Sequence, residues 1–508
     1  MALDPILDAY QYVGKKHQLF VDNEPRWRFL LDSYLGGEDY RRGAYLTRYV
    51  LETDGEYQQR LRNTPLDNQC RSVIQTYVSF LFRDEAERDW ADLILDPQLE
   101  SWLRDTDLEG RSWSSFMKDV STWSSVFGHC YVLISKPGIQ ALTLADQLSQ
   151  DVRPYASLLT PLVVTDWHYA RRPNGRYELD YIKYVEDVNG DSVVVREWTP
   201  TVIRTWNLDT RQMQASLTLE EPNELGRVPV VVVYNQRGQV RGQGISDISD
   251  IADQQRASYN EFSELEQSVR LEGHPSLVVT PDVQVGAGAG AMLVMPENLD
   301  SGLKPYMLNV DATPVGDLWS SIRNRRDVID SMANTGSVRA TETRTISGVA
   351  METEFQLLNA RLSEKADNLA LAEEQIWTLY AQYQGREWSG TIEYPRSFSI
   401  RDLGREMAEL QAARAAATSA AVLAVVDYKI MELLDEEPEE IVDAIRDFLP
   451  GTEAAAETIA VDVQDLPDAT VTPHWMRDPV TGELVQVESA LVHDRLAARG
   501  YQEAERGL

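Results

Sequence analysis

Cysteine is nearly absent from this chain of 508 residues, which contains only Cys70 and Cys130. The two lie far apart in sequence and form no CxxC pair. Disulfide-dependent domains are rich in cysteine, and structural zinc sites need closely spaced ligands. The sequence therefore predicts neither a disulfide framework nor a zinc site, and it fits a reducing cytoplasm.

Basic residues are also scarce relative to acidic ones. The chain has 48 Lys and Arg against 81 Asp and Glu, which gives a formal net charge of −33. Proteins that grip DNA phosphates normally carry an excess of basic residues, so this composition disfavours tight DNA binding. It does not exclude DNA as a transient guest, because an acidic wall repels phosphates and lets a duplex slide without sticking. A role of the acidity in solubility alone remains the alternative.

Long apolar runs are missing as well. The uncharged stretch 415–426 is far shorter than the roughly 20 residues that a bilayer span needs. Residues 1–18 lack a basic segment followed by an apolar core, so they do not predict a signal peptide. We therefore expect a soluble protein with no membrane partner.

Motifs for catalysis or metal binding are not present. The sequence contains no G-x-x-x-x-G-K-[ST], no H-E-x-x-H and no G-x-S-x-G, and its six His are scattered singly. The glycines of residues 286–290 lack the following helix and acidic partner of a nucleotide loop, which predicts a flexible turn. The carboxylates of residues 435–440 lack the glycine and spacing of a calcium loop. They and the charged residues 84–89 are expected to be solvated surfaces, so we predict no catalytic residue, cofactor or metal.

The first half of the chain changes from helical to strand periodicity. The whole chain of 508 residues is longer than one hydrophobic core accommodates, so several packed modules are expected. Residues 5–128 are mostly helical in pattern, and the clearest helix, within residues 66–82, has apolar residues at spacings of three and four. Residues 152–235 predict a strand meander, with Asn-Gly turn pairs at 174–175 and 189–190. The last strand, residues 229–234, is apolar on both faces, which predicts a buried strand rather than an open edge.

Two amphipathic helices with a small insert follow the strands. The first opens with Asp247, where the helix dipole favours an acidic residue, and ends at Gly273. Its apolar stripe is narrow, as is typical of a helix in a ring of neighbouring helices. Residues 274–310 predict a small β-containing module. The second helix begins at Pro314 and carries Val315, Leu318, Trp319, Ile322, Ile329 and Met332 on one side, with its arginines largely off that side.

A long helix dominates what remains of the chain. Residues 334–347 are polar and without periodicity, which predicts a loop. From Met351 to Tyr383 an apolar stripe continues almost unbroken, which predicts a helix of roughly 35 to 40 residues and about 55 Å. Another helical region is expected at residues 402–449, and then an acidic tail with several prolines and a last helix at about 487–499.

Four segments and the order of the elements resemble the portal proteins of tailed bacteriophages. The segments are LDNQCRSVIQTYVSFLF (66–82), GRVPVVVVYN (226–235), GQGISD (242–247), which opens a helix, and TISGVAME (345–352), which opens the long helix. The resemblance extends from about residue 60 to 385. Beyond residue 450 it gives little, because the tails in that family vary.

The resemblance implies a predominantly helical α+β fold and a ring of about twelve subunits around an axial channel. Such a ring lies at one capsid vertex of the virion, and double-stranded DNA is packaged and ejected through it. On this template the regions are a wing (1–243), first stem helix (244–273), clip (274–312), second stem helix (313–334), tunnel loop (335–347), long wing helix with the following segment (348–400), and crown with C-terminal tail (401–508).

The resemblance also assigns expected contacts. In the tunnel loop, Arg339 and Arg344, with Thr341 and Thr343 beside them, would touch DNA phosphates without reading sequence. The alternative is that both arginines pair with carboxylates of a neighbouring subunit. In the second stem helix, Arg323, Arg325 and Arg326 either line the channel or form salt bridges between subunits. In the clip, partner docking would involve Gln284, Gly286, Gly288 and Gly290. The implied partners are other copies of the chain, the terminase large subunit, the head-tail adaptor, and the major capsid and scaffold proteins, which meet in the host cytoplasm during assembly.

Two other classes of protein remain as alternatives. One is another ring-forming phage structural protein, such as a collar or connector, although adaptors are usually shorter and lack the long helix. The other is an enzyme with an unrecognised carboxylate site, which would show a deep pocket holding paired carboxylates in opposed environments.

Overall fold

The computed structural model describes most of the chain up to residue 416 and three short strands beyond it. The described residues are 5–137, 150, 152–273, 276–278, 284–285, 293–294, 306–308, 313–339, 348–396, 398, 403–416, 423, 426, 430, 474–477, 484–487 and 502–504. The chain divides into two compact units, Met1–Ser399 and Ile400–Leu508.

Helices dominate the first 128 residues, as the periodicity predicted. They are α1 (Pro5–Gly14), α2 (Gln18–Leu35), α3 (Gly37–Arg42), α4 (Asp54–Asn63), α5 (Gln69–Leu81), α6 (Leu99–Arg104) and α7 (Trp113–Phe127), with a short strand β1 (Glu87–Arg88) and a 3₁₀ turn at Ala91–Leu95 between α5 and α6. The predicted segment forms α5, whose apolar stripe is buried. Asn68 begins this helix by accepting a hydrogen bond from the Arg71 amide at 2.9 Å.

A three-stranded antiparallel sheet contributes much of the core of the first unit. Its order is β3 (Tyr155–Leu159), β2 (His129–Ser135) and β9 (Val230–Tyr234). All seven residues of β2 are buried. The predicted burial of β9 is confirmed, but the strand lies at the edge of the sheet. The helix Gly348–Tyr383 packs against β9, and Asn368 donates to the Asn235 carbonyl, just after the strand, at 3.1 Å.

The predicted meander forms a separate five-stranded sheet. Its strands run in sequence order, β4 (Val164–Arg171), β5 (Tyr177–Asn189), β6 (Ser192–Trp198), β7 (Val202–Asp209) and β8 (Gln214–Pro222). Both Asn-Gly pairs lie at hairpin turns, where Gly175 and Gly190 adopt φ values of +84° and +61°. Helix α1 packs on this sheet, where Val13, Val195 and Leu208 form a small second core.

Two paired helices and a strand insert follow β9. The helices are α8 (Ser249–Gly273) and α9 (Thr313–Ala333), and they pack against each other. Between them, β10 (Ser276–Val278) pairs with β13 (Tyr306–Leu308), and β11 (Gln284–Val285) pairs with β12 (Leu293–Val294). These strands agree with the predicted β-containing insert. Asp247 does not open the helix as predicted, because α8 begins two residues later and Asp247 is buried before it.

The long helix has the predicted length. After a one-turn helix α10 (Gly336–Arg339), helix α11 (Gly348–Tyr383) contains 36 residues, or about 54 Å at 1.5 Å per residue. The prediction of a structureless loop is therefore wrong for residues 336–339. After α11, β14 (Ile392–Glu393) pairs with β1.

The second unit is described only in parts. Helix α12 (Leu403–Ala416) occupies the start of the predicted helical region. Strands β15 (His474–Arg477), β16 (Leu484–Val487) and β17 (Gln502–Ala504) form a sheet of order β16-β15-β17, which the sequence did not predict. Val487, the expected start of a last helix, ends β16 instead. The carboxylates of residues 435–440 and the body of that expected helix lie outside the described residues.

Candidate functional site: a buried polar junction below the paired helices

Four parts of the chain meet at a buried cluster of polar side chains, which we term the junction. It consists of Asn235 after β9, Asp247 before α8, Lys365 on α11 and Ser125 on α7. The Lys365 Nζ lies 2.6 Å from Asp247 Oδ2 and donates to Ser125 Oγ at 2.9 Å and to Asn235 Oδ1. Each of these four side chains comes from a different element, so the junction fixes the elements relative to one another.

Arg361, one turn before Lys365, extends the junction to the other paired helix. It donates to Asp247 Oδ1 at 3.2 Å and to the Met332 carbonyl, in the last turn of α9, at 3.1 Å. Its guanidinium carbon lies 5.3 Å from the centre of the Tyr77 ring, and the Tyr77 hydroxyl donates to the Ala333 carbonyl at 2.5 Å. The long helix thus holds both the start of α8 and the end of α9.

The charged side chains of the junction stabilise one another. Burial by itself would raise the pKa of Asp247, but the charges of Lys365 and Arg361 outweigh it and hold that pKa below its usual value. A void of about 10 Å³ lies beside Lys365 and Asn235, at the lower limit for a single water. The junction therefore has no room for a substrate, and its contacts serve to hold elements in place.

A close backbone crossing lies next to the junction. A Cβ on Gly244 would lie 1.9 Å from the Gly128 carbonyl oxygen, so only glycine fits there. Ser246 donates to the Val126 carbonyl at 2.6 Å, and the Asp247 amide donates to the Ser125 carbonyl at 3.0 Å. These contacts bring the GQGISD segment directly against the end of α7.

The arginines of α9 were predicted either to line a channel or to bridge subunits, and two of them form ion pairs inside the chain. Arg325 lies 2.7 Å from Glu261 of α8, and Arg326 lies 2.7 Å from Asp67. Arg323 is exposed, with its guanidinium carbon 5.6 Å from the centre of the Trp319 ring. The pairing of Arg325 and Arg326 links α9 to α8 and to the segment before α5.

Arg339 is held by the chain itself. It forms an ion pair with Asp330 at 2.8 Å, approaches Thr335 Oγ1 at 3.5 Å, and donates to Gln69 Oε1. Its side chain is 12% exposed, and burial lowers its pKa. The residue predicted to project from an unpatterned loop instead packs at the end of α10. Arg344, Thr341 and Thr343 lie outside the described residues.

The apolar stripe of α9 is only partly covered. Ile322, Ile329 and Ala333 are buried, as the periodicity predicted for the first two. Trp319 and Met332 were expected on the same buried side, but they are 44% and 37% exposed. Since α8 contacts only part of the stripe, large apolar side chains of α9 remain in contact with solvent.

The predicted clip residues are described only at one position. Gln284 lies in β11 opposite Val294 of β12. Gly286, Gly288 and Gly290 lie outside the described residues.

Sequence reasoning missed two charged residues on the buried side of α11. Lys365 lies three residues after Leu362, and Glu373 lies four after Leu369, so both fall within the apolar stripe. Glu373 is fully buried and accepts hydrogen bonds from Arg88 at 2.6 Å and from Trp113 at 2.8 Å. The prediction that Arg88 is a surface residue is therefore wrong. The sequence signal for both Lys365 and Glu373 was a charged residue at a position of the apolar stripe.

The described residues hold no group of three or more His, Cys, Asp or Glu that could bind a metal ion. Among them, no helix is both long enough and apolar enough to cross a membrane.

Comparisons with known proteins give structural likenesses only. No protein-family model and no curated protein matches the chain. Among solved structures, the chain is similar to one described as the neck of an empty GTA particle computed with C6 symmetry, with a TM-score of 0.42, 10% identity, and coverage of 77% of this chain and 99% of that one. Two others are described as the virion of the native gene transfer agent (GTA) particle and the neck of the native GTA particle computed with C12 symmetry. They have TM-scores of 0.40 and 0.39, both with 10% identity and coverage of 78% of this chain and 98% of theirs.

Proposed function

We propose that the chain is a portal subunit of a tailed phage or phage-like particle. About twelve copies form the ring-shaped channel at one capsid vertex, through which double-stranded DNA is packaged and ejected. The observation that carries the proposal is the helix pair α8 and α9, which brackets a strand insert and is held at its base by the 36-residue helix α11. This arrangement coincides with the segments that resemble portal proteins.

Exposed apolar side chains on the paired helices support assembly into a ring. Val269 of α8 and Trp319, Val328 and Met332 of α9 are between 37% and 48% exposed. Burial of such side chains against neighbouring copies is favourable, because it removes apolar surface from water. Contacts between different surfaces of one chain generate a closed ring when the rotation between copies closes.

The charge of the ring determines how DNA passes through it. Twelve copies carry a formal charge of about −400, so a duplex meets net repulsion that local contacts must offset. We assign those contacts to Arg344, with Thr341 and Thr343, in the connection between α10 and α11. Arg339 has a different role, because its ion pair with Asp330 anchors the start of that connection. Contacts to phosphate position DNA without reading its sequence.

Separate substitutions of the two arginines test this division. Arg344→Ala should leave the melting temperature of the rings unchanged and reduce the length of DNA packaged per particle. Arg339→Ala should lower the melting temperature, because Asp330 then loses its partner. Full-length packaging by Arg344→Ala rings would refute the DNA contact.

The strand insert is the proposed docking site for the terminase large subunit and, after packaging, the head-tail adaptor. The chain itself hydrolyses no ATP on this proposal, because it contains no phosphate-binding loop. Contacts with the major capsid and scaffold proteins involve other parts of the ring.

Terminase binding distinguishes a portal from a collar. Deleting residues 284–291 removes β11 and should spare ring formation while abolishing capture of terminase by the ring. Intact rings that still bind terminase after this deletion would refute the assignment of the insert. Wild-type rings that bind no terminase would favour the collar alternative.

A further inference from the structure

The turn between α3 and α4 presents two apolar side chains almost entirely to solvent. Val50 and Leu51 are 99% and 94% exposed, whereas every other exposed large apolar residue among those described is 70% exposed or less. The Glu52 amide donates to the Tyr49 carbonyl at 3.2 Å and closes the turn. We term these four residues, 49–52, the apolar turn.

The base of the apolar turn is rigidly held. Arg60 is 4% exposed, pairs with Glu52 at 2.8 Å, and places its guanidinium carbon 3.9 Å from the centre of the Tyr49 ring. It also donates to Ser263 Oγ of α8 at 3.0 Å, while the Tyr49 hydroxyl donates to Glu264 of the same helix. The residues that flank Val50 and Leu51 are therefore both held in place. Glu52 pairs with the buried Arg60, and Tyr49 donates to Glu264 of α8. Because the turn is already ordered, binding a partner at its apolar tip costs little conformational entropy.

The apolar turn lies beside a concave surface that carries one exposed carboxylate. A cleft of about 380 Å³ lies there, lined by Leu51, Glu56, Arg270 and the buried pair of Glu52 and Arg60 among others. Glu56 is exposed, whereas Glu52 is already neutralised by Arg60. A surface that complements this region has an apolar side chain for the tip and a cation for Glu56.

Helix α9 of the same chain presents such a surface. Gly316, Trp319, Ser320 and Arg323 lie at spacings of three and four and are all exposed, so they share one outer face. A Cβ on Gly316 would have nothing within 4 Å, which leaves an open notch beside the Trp319 ring. Arg323 supplies the cation next to that ring.

The apolar turn and Trp319 of α9 lie against different faces of α8. Trp319 lies beside Phe262, with ring centres 6.4 Å apart, whereas Tyr49 of the turn donates to Glu264. Residues two apart on a helix do not share a face. A contact between them therefore joins two copies of the chain rather than two parts of one copy. Such a contact is heterologous, the type that closes into rings.

We propose that Val50 and Leu51 of one copy seat against Gly316 and Trp319 of the next, with Arg323 facing Glu56. This inference rests on the ring assembly proposed above and names the contact that builds it. The partner is a second copy of this chain.

Disulfide trapping tests the contact directly. The double variant Leu51→Cys with Gly316→Cys is oxidised as assembled protein and run on a non-reducing gel; the native Cys70 and Cys130 are buried and remain unreactive. A ladder of covalent multimers is expected from the double variant and none from either single variant. If rings of wild-type mass form but give no ladder, or if the disulfide forms within one chain, this contact is wrong. Neither result would argue against ring assembly itself. A wild-type chain that is monomeric throughout would overturn the ring itself.

Substitution of the tip provides a second measurement. Val50→Ser with Leu51→Ser should raise the concentration of half-assembly by about tenfold or more, because each contact loses buried apolar area. The melting curve of the unassembled chain should not change, since both side chains are exposed. The matched control is Ile94→Ser with Leu95→Ser, another apolar pair, 69% and 70% exposed. Equal assembly by the tip variant and the wild type would assign the tip to a different partner and refute the proposal.

Discussion

Lys365 and Glu373 lie on the buried side of α11, and groups from distant segments satisfy each of them. Lys365 meets Asp247, Asn235 and Ser125, and Glu373 meets Arg88, Trp113 and Tyr394. Removing a charge from water is expensive, so a buried charge persists only when its partners are in place. These two residues therefore specify where α11 lies against the strands and helices around it.

Replacing Lys365 leaves the buried Asp247 with Arg361 as its remaining cationic partner. Lys365→Met should lower the free energy of unfolding by about 3 kcal/mol, and adding Asp247→Asn should recover part of the loss. Urea unfolding at one fixed protein concentration measures both. The control is Arg104→Met, whose partner Glu100 is on the surface and whose pair is 78% and 77% exposed, so its loss should stay within about 0.5 kcal/mol. Equal losses for Lys365→Met and Arg104→Met would contradict the role of the junction.

His129 makes the fold sensitive to acid. It is fully buried in β2, and burial lowers its pKa to about 3. An unfolded histidine titrates near 6.5, so between these values the unfolded state binds the extra proton and stability falls as the pH is lowered. Between pH 7 and pH 5, His129→Gln should therefore lose about 2 kcal/mol less stability than the wild type. The same pH dependence in both proteins would show that His129 does not titrate on unfolding.

At the scale of elements, two glycines with opposite surroundings offer a matched test. Gly244→Ala places a Cβ against the Gly128 backbone and should destabilise the chain by about 3 kcal/mol or more. Gly316→Ala, inside α9 with open space around it in the single chain, should stabilise the unassembled chain by roughly 0.5–1 kcal/mol. Thermal melts of both variants measure the difference. A mild effect of Gly244→Ala would mean that the crossing between α7 and the GQGISD segment is not tightly packed.

The elements themselves were largely predictable, and their partners were not. Periodicity placed α5, the meander hairpins and α11 correctly, because each has a regular apolar pattern or a specific turn pair. It predicted the burial of β9 but not its edge position, since a buried edge strand is as apolar as a central strand. It failed for Trp319, because an apolar stripe does not reveal how much of it a neighbouring helix covers.

The candidate site was less accessible to sequence reasoning than the elements. Lys365 and Glu373 are visible as charges in an apolar stripe, but nothing local indicates that Asp247 or Arg88 pairs with them. Asp247 fits the pattern of a helix start, and only the fold shows that it is buried instead. Arg339 was assigned to a loop because the segment around it lacks periodicity, which a one-turn helix is too short to display.

The whole molecule combines a net negative charge, a helix pair held at its base by α11, and exposed apolar side chains. The net charge of −33 per copy opposes assembly, and salt screens that repulsion over about 10 Å at 0.1 M. Assembly should therefore become more favourable as the salt concentration rises from low values, since the apolar contacts are not weakened by this screening.

Negative-stain electron microscopy of the purified chain, with light scattering on the same sample, shows whether the chain forms a ring. We expect cone-shaped rings with a central hole and a mass of about twelve chains. Micromolar protein that stays monomeric at every salt concentration would contradict this expectation.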